Sequence, residues 1–125
     1  MLQEGLSHTT RLTVGEQHTA IAMGSGDMPV LATPVMIAMM ENAAMLAVDQ
    51  EFPAESTTVG TAISATHVKA SPVGAVVEAT ATLERIDGRK LYFRVEARQD
   101  GELIGEGNHT RVVVDRERFM QKVQG

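Results

Sequence analysis

A chain of 125 residues, 43% of them apolar, is long enough for one folded domain and too short for two. It has no Cys, which excludes disulfides, thiolate nucleophiles and Cys-based metal sites. The net charge of −5 disfavours a general nucleic-acid surface, although nine of the eleven Lys and Arg residues lie after position 84, which leaves room to grip one phosphorylated small molecule.

Residues 6–22 alternate loosely around Gly15 and predict one or two short strands, followed by a flexible link at Gly24-Ser25-Gly26-Asp27. The next segment is the most informative. From Val30 to Val48 the chain is apolar except for Thr33, Glu41 and Asn42. Pro34 after Thr33 predicts a helix over about 34–49 with Thr33 as its N-cap. Such a helix has no wet face and should be enclosed. The run approaches the length of a membrane span, but Glu41 and Asn42 at its middle argue against insertion. With no apolar leader at the start, the expected location is the cytoplasm.

A carboxylate inside such a run must be neutralised, paired or put to use, because an unpaired buried charge is costly. Glu41 is therefore the first candidate site residue. The bland alternative is a structural Glu that is protonated or paired with Asn42.

Beyond Val59 the period changes to two. Ala75, Val77, Ala79, Ala81 and Leu83 share one face, and Leu91, Phe93, Val95 and Ala97 repeat the pattern. These are antiparallel strands with one buried and one wet face. Keeping the faces consistent through Asp87-Gly88 and Asp100-Gly101 calls for three-residue turns, which set Leu83 opposite Leu91 and Ala97 opposite Leu103. The same parity turns Leu103, Gly105, Gly107, His109 and Arg111 inward. Two ionisable side chains beside two glycines suggest a pocket. Residues 115–123 read as a charged, solvated tail that could form a short helical turn. The whole is an α+β domain over 1–125, a curved antiparallel sheet around one long helix, with unprotected edges that predict a dimer.

This order is that of the hot-dog fold, and the residues resemble the fluoroacetyl-CoA thioesterase family. The resemblance is carried by Ala32-Thr33 through Met40-Glu41, by Val59-Gly60-Thr61-Ala62-Ile63 to Thr66-His67, and by Ser71-Pro72-Val73-Gly74. It resumes at Gly105-Glu106-Gly107-Asn108-His109-Thr110-Arg111 and reaches Phe119, spanning about residues 30–120. It implies a homodimeric acyl-CoA thioesterase with Thr33, Glu41 and His67 as catalytic residues and with Gly60 and Arg111 lining the site. The CoA ester would be substrate, and no cofactor is implied. The fluoroacetyl enzyme covers its acyl group with an aromatic lid before the catalytic Thr. Here that segment reads GSGDMPVLA and has no Phe, so fluoroacetyl selectivity does not follow.

Thioester hydrolysis needs an oxygen nucleophile, a proton donor for the thiolate and donors for the oxyanion. Glu41 could attack the carbonyl or activate water, and His67 titrates in the range a proton shuttle needs. Each candidate also has a bland reading. His67 could be an ordinary strand His, Thr33 only a helix cap, Arg111 a surface ion pair and Gly60 a strand glycine. Eight helical residues separate Thr33 from Glu41 by roughly 12 Å, so the two should not touch. His109 reads as a supporting residue, and the four His lack metal-ligand spacing. Two other functions share these residues: a non-catalytic acyl-CoA-binding module and an enoyl-CoA hydratase.

Overall fold

The computed structural model describes all 125 residues. Five antiparallel strands form one sheet in the order β1-β3-β4-β5-β2. They are β1 (Ser7–Thr13), β2 (Ser56–His67), β3 (Val76–Asp87), β4 (Lys90–Gln99) and β5 (Glu102–Asp115). A short helix α1 (Ala20–Met23) and the long helix α2 (Thr33–Val48) precede β2, and α3 (Arg116–Gln124) ends the chain. No helix is long and apolar enough to cross a membrane.

The alternating pattern lands as expected. Val77, Ala79, Ala81 and Leu83 of β3 and Leu91, Phe93, Val95 and Ala97 of β4 are fully buried. They pack against Met36, Met39, Met40, Ala43, Ala44 and Val48 of α2. Small β3 side chains let the helix come close, and flexible methionines fill what remains. The enclosure is one-sided, because a single curled sheet reaches only part of the helix circumference. Pro34 and Ala38 are exposed, while Ile37, Glu41 and Met45 are half-buried.

Several local expectations are corrected. Only residues 7–13 of the first segment form a strand. After Gly15 the chain coils, because Thr19 accepts a hydrogen bond from the Ala22 amide and Gly24 closes α1 in the left-handed region. Both hairpins have two-residue turns, not three. Asp87 pairs with Lys90 around Gly88-Arg89, and Gln99 pairs with Glu102 around Asp100-Gly101, whose two residues both have positive φ. The extra residue demanded by parity sits inside the strands, at Glu84 and Ile104. Leu83 therefore faces Phe93, and Ala97 faces Gly105. A bulge in mid-strand conserves the buried face as well as a bulge in the turn does. The helical turn open to the charged tail is the nine-residue helix α3, with Asp115 accepting from the Arg118 amide as its cap.

The inward glycines do not hollow out a pocket. A Cβ on Gly107 would lie 1.9 Å from the Ser64 carbonyl oxygen, and one on Gly105 would lie 2.5 Å from the Thr66 oxygen and 2.7 Å from Met36 Sδ. They permit close approach of β2 and α2 to β5. Strand β2 has β5 on one side and nothing on the other, so it leaves a twelve-residue edge open.

Candidate active site

The lead-in to α2 is tied down on both flanks. The Leu31 amide donates to the Ser71 carbonyl, the Ala32 amide to His18 and the Ala20 amide to Val30. Helix α2 consequently begins one residue earlier than the sequence suggests, with Ala32 as N-cap and Pro34 in its first turn. Thr33 is inside the helix and its hydroxyl caps nothing. Instead Thr33 Oγ1 lies 2.8 Å from His67 Nδ1 at the end of β2.

His67 is half-buried, and burial lowers its pKa from the usual 6.5, partly offset by the Lys69 backbone. It is therefore mainly neutral at pH 7. The Thr33 hydroxyl can donate to Nδ1 or accept from it, and Nε2 is buried with no hydrogen-bond partner in the chain. Thr33 and His67 open onto a cleft of about 260 Å³ whose walls include Ala20, Val30, Leu31 and Val68. Lys69 and Ala70 complete the lining, which contains no Phe or Tyr.

The other three predicted residues gather farther along α2. A Cβ built on Gly60 would stand 3.1 Å from Glu41 Oε2, 3.4 Å from Arg111 Nη1 and 3.0 Å from His109 Cε1. Asn42 is not the partner of Glu41, since its Oδ1 accepts from Thr10 Oγ1 at 2.7 Å. Glu41 forms no hydrogen bond or ion pair of its own and borders a cleft of about 220 Å³ with Gly60, Thr61, Ala62, Ile63 and His109. The bland reading of Arg111 as a surface ion pair fails, because it is only 7% exposed. Its Nε donates to Thr58 Oγ1 and its Nη2 to the Thr58 carbonyl, each at 2.8 Å. Burial pulls the guanidinium below its usual pKa, and the charge of Glu41 opposes that pull.

His109, read from the sequence as a supporting residue, has both ring nitrogens engaged within the chain. Arg111 Nη1 can only donate, so His109 Nε2, 3.1 Å away, must accept. The proton then resides on Nδ1, which donates to the Ala62 carbonyl at 2.8 Å. Both ring nitrogens are occupied, and burial lowers the pKa. The Ala62 bond and Glu41 act against that shift, while Arg111 adds to it. His109 is therefore a fixed neutral brace between Arg111 and β2, where a bulge at Thr61 interrupts pairing with β5. The HxR spacing of His109 and Arg111 on one strand face was the available signal. Its meaning depended on β2 lying beside it.

Within one copy of the chain the predicted residues fall into two clusters, Thr33 with His67 and Glu41 with Gly60 and Arg111. Seven strand residues separate Gly60 from His67, roughly 23 Å of extended chain. No group of His, Asp and Glu could hold a metal ion.

Among known proteins, the chain matches the family described as fluoroacetyl-CoA-specific thioesterase (FlK) over residues 14–117. It is 39% identical over 95 residues to the fluoroacetyl-CoA thioesterase of Streptantibioticus cattleyicolor, an overlap of 76% of this chain and 68% of that protein. A solved structure of the fluoroacetyl-CoA thioesterase FlK superposes with a TM-score of 0.92 at 32% identity, covering 99% of this chain and 96% of that one. A thioesterase superfamily member from Thermus thermophilus gives 0.91 at 25% identity over 99% of this chain and 92% of its own. The hot-dog-like protein of Thermanaerovibrio acidaminovorans, at 19% identity, shares the fold with a TM-score of 0.89 over 98% of this chain and 91% of its own.

Proposed function

Since the chain belongs to the fluoroacetyl-CoA-specific thioesterase family and is a hot-dog thioester hydrolase, we propose that it cleaves short aliphatic acyl-CoA esters at a site completed by a second copy of itself. The single observation that carries this reading is the hydrogen bond between Thr33 and His67, made by a hydroxyl with no capping duty. The binding-module and hydratase alternatives are not favoured by these relatives.

In the proposed mechanism Glu41 supplies the oxygen chemistry. Its carboxylate either adds to the thioester carbon, giving a mixed anhydride, or takes a proton from a water that adds. When water adds, the C–S bond breaks and the proton that Glu41 took from the water passes through His67 to the CoA sulfur; on the anhydride path the sulfur leaves as a thiolate and takes its proton from solvent through His67. On the anhydride path a water then restores Glu41. Thr33 fixes the His67 ring, and the Gly60 region leaves room for the carbonyl oxygen, with Arg111 supplying positive charge nearby.

Homodimerisation is part of the proposal. An open twelve-residue edge is a template for another strand. Antiparallel pairing of two β2 strands centred between Ile63 and Ser64 would set Gly60 opposite the partner's His67. It would bring an unpartnered Glu41 towards an imidazole Nε2 that lacks a hydrogen-bond partner. The aliphatic cleft and the missing aromatic lid favour acyl groups larger than fluoroacetyl. We place the activity in the cytoplasm, a reducing compartment with which a Cys-free chain is compatible.

The test is free-thiol release from a panel of short and medium acyl-CoAs by wild type, Glu41→Gln and His67→Ala. Turnover by the wild type that collapses in both folded variants is the expected result. Turnover indifferent to Glu41 would overturn the mechanism. Hydrolysis in heavy-oxygen water under single-turnover conditions identifies the anhydride path if label is found in Glu41.

A further inference from the structure

Arg111 is a buried cation without an ion pair. A guanidinium that serves packing alone is normally met by a carboxylate, because a buried charge without one is costly. Arg111 is met only by neutral acceptors: Thr58 Oγ1, the Thr58 carbonyl and His109 Nε2. The charge of Glu41 reaches it through space, yet no Glu41 oxygen comes within ion-pair distance. No contact cancels the positive charge, which stays available to a negative charge that develops beside it.

Two of the three acceptors belong to one residue. Thr58 stands two residues before Gly60 on β2, and Gly60 is directly opposite Arg111 on β5. Thr58 is thus the diagonal neighbour of Arg111 on the same face of the sheet. It is itself buried, at 6% exposure. Its carbonyl takes an Nη2 proton and its hydroxyl takes the Nε proton, each at 2.8 Å. The carbonyl bond alone would let the guanidinium plane swing about Nη2, and the bond at Nε removes that freedom. A guanidinium has five N–H groups. Three are engaged, which leaves one on Nη2 and one on Nη1. Nη1 is the nitrogen 3.4 Å from the point where a Gly60 Cβ would stand, and Glu41 Oε2 is 3.1 Å from the same point. The free Nη1–H therefore belongs to the nitrogen that borders the space over Gly60.

We infer that Thr58 is a positioning residue for thioester hydrolysis, its hydroxyl aiming Arg111 so that the free Nη1–H meets the oxyanion formed over Gly60. The inference rests on the thioesterase reading and adds to it the group that sets the direction of Arg111. A donor fixed before the reaction stabilises developing charge without reorganising, whereas one free to swing must be realigned at each turnover. The plainer duty open to Thr58 is to satisfy a buried guanidinium and nothing more. The two duties separate in kinetics, because a bond that only supports folding changes stability, and one that aims a transition-state donor lowers kcat at unchanged KM.

The experiment measures kcat and KM for the best ester of the panel, and hydrogen exchange of arginine Nε–H groups by NMR, in wild type, Thr58→Val, Thr58→Ser and Arg111→Lys. Arg111→Lys removes one Nε–H and so identifies its signal. Thr58→Val keeps the branched shape and the carbonyl but loses the hydroxyl. Its kcat should fall about tenfold with KM within about twofold of wild type, and Thr58→Ser should recover most of that loss. The Arg111 Nε–H should exchange at least about tenfold faster in Thr58→Val and near the wild-type rate in Thr58→Ser. Thr58→Ala, which also lacks the hydroxyl, takes the place of the valine variant if that one does not fold. Three results would each overturn the inference: a kcat within about twofold of wild type without the hydroxyl, a loss carried by KM or not restored by serine, and a loss with the Nε–H exchange unchanged. If the wild type turned over no ester, the thioesterase reading itself would fail, and the exchange rate alone would decide whether Thr58 holds Arg111.

Discussion

Gly60→Ala probes the site with a single methyl group. Gly60 does not have a positive φ, so alanine brings no backbone strain, and the effect is one of packing alone. The new Cβ would meet His109 Cε1 at 3.0 Å, Glu41 Oε2 at 3.1 Å and Arg111 Nη1 at 3.4 Å. Comfortable carbon contacts begin at about 3.5 Å. His109 cannot withdraw, because both its nitrogens are hydrogen-bonded and it is only 2% exposed. Arg111 is held by Thr58. The half-buried Glu41, with no bonds of its own, is the group that must give way, by several tenths of an ångström. Overpacking costs about 1–3 kcal/mol, offset by about 0.4–1 kcal/mol from the lost freedom of the unfolded glycine. The net change in Tm should therefore be only a few degrees. Displacing a reacting carboxylate by this much should lower kcat by about 10- to 100-fold. The assay is thiol release from the best ester of the panel, with Tm by calorimetry on the same samples. A kcat within twofold of wild type would refute the assignment of Glu41 and Gly60 to one reacting centre.

Thr33→Val keeps the shape and removes the hydroxyl. Because Thr33 caps nothing, Tm should fall by no more than the equivalent of about 1.5 kcal/mol while activity drops at least about tenfold, and Thr33→Ser should restore part of it. His109→Gln keeps an acceptor for Arg111, whereas His109→Asn keeps a donor for Ala62. We expect Gln to retain more activity, as judged by kcat/KM, if holding Arg111 is the main duty of His109. Gly107→Ala would press a methyl group against the Ser64 carbonyl oxygen at 1.9 Å and should cost about 3 kcal/mol or more in chemical denaturation. His67 and His109 both have pKa values lowered on folding. Between each folded value and the unfolded 6.5 the unfolded chain binds more protons, so stability should hold above about pH 7 and fall as pH drops below 6.5. Denaturation across pH 4–8 should show that slope, and His67→Gln should flatten it.

The sequence by itself determined the two-layer architecture. Period-two alternation in β3 and β4 and an apolar run broken at Glu41 and Asn42 are local patterns, and burial acts on them wherever the strands finally pair. It also determined which face of β5 carries His109 and Arg111, since parity survives a bulge placed anywhere before them. It did not determine where those bulges sit. Glu84 and Ile104 are chosen by the fit of neighbouring strands, and the turn residues are compatible with either arrangement. Nor could it separate the two duties open to Thr33. The choice depended on His67, 34 residues away, arriving at the helix start with a free Nδ1. The tautomer of His109 and the freedom of Glu41 were likewise decided only when Arg111, Thr58, Ala62 and Thr10 took their places around them. Pattern fixes which side of an element is buried, because that depends on each residue's own affinity for water. Hydrogen-bond partners at a distance are fixed only by how the elements pack.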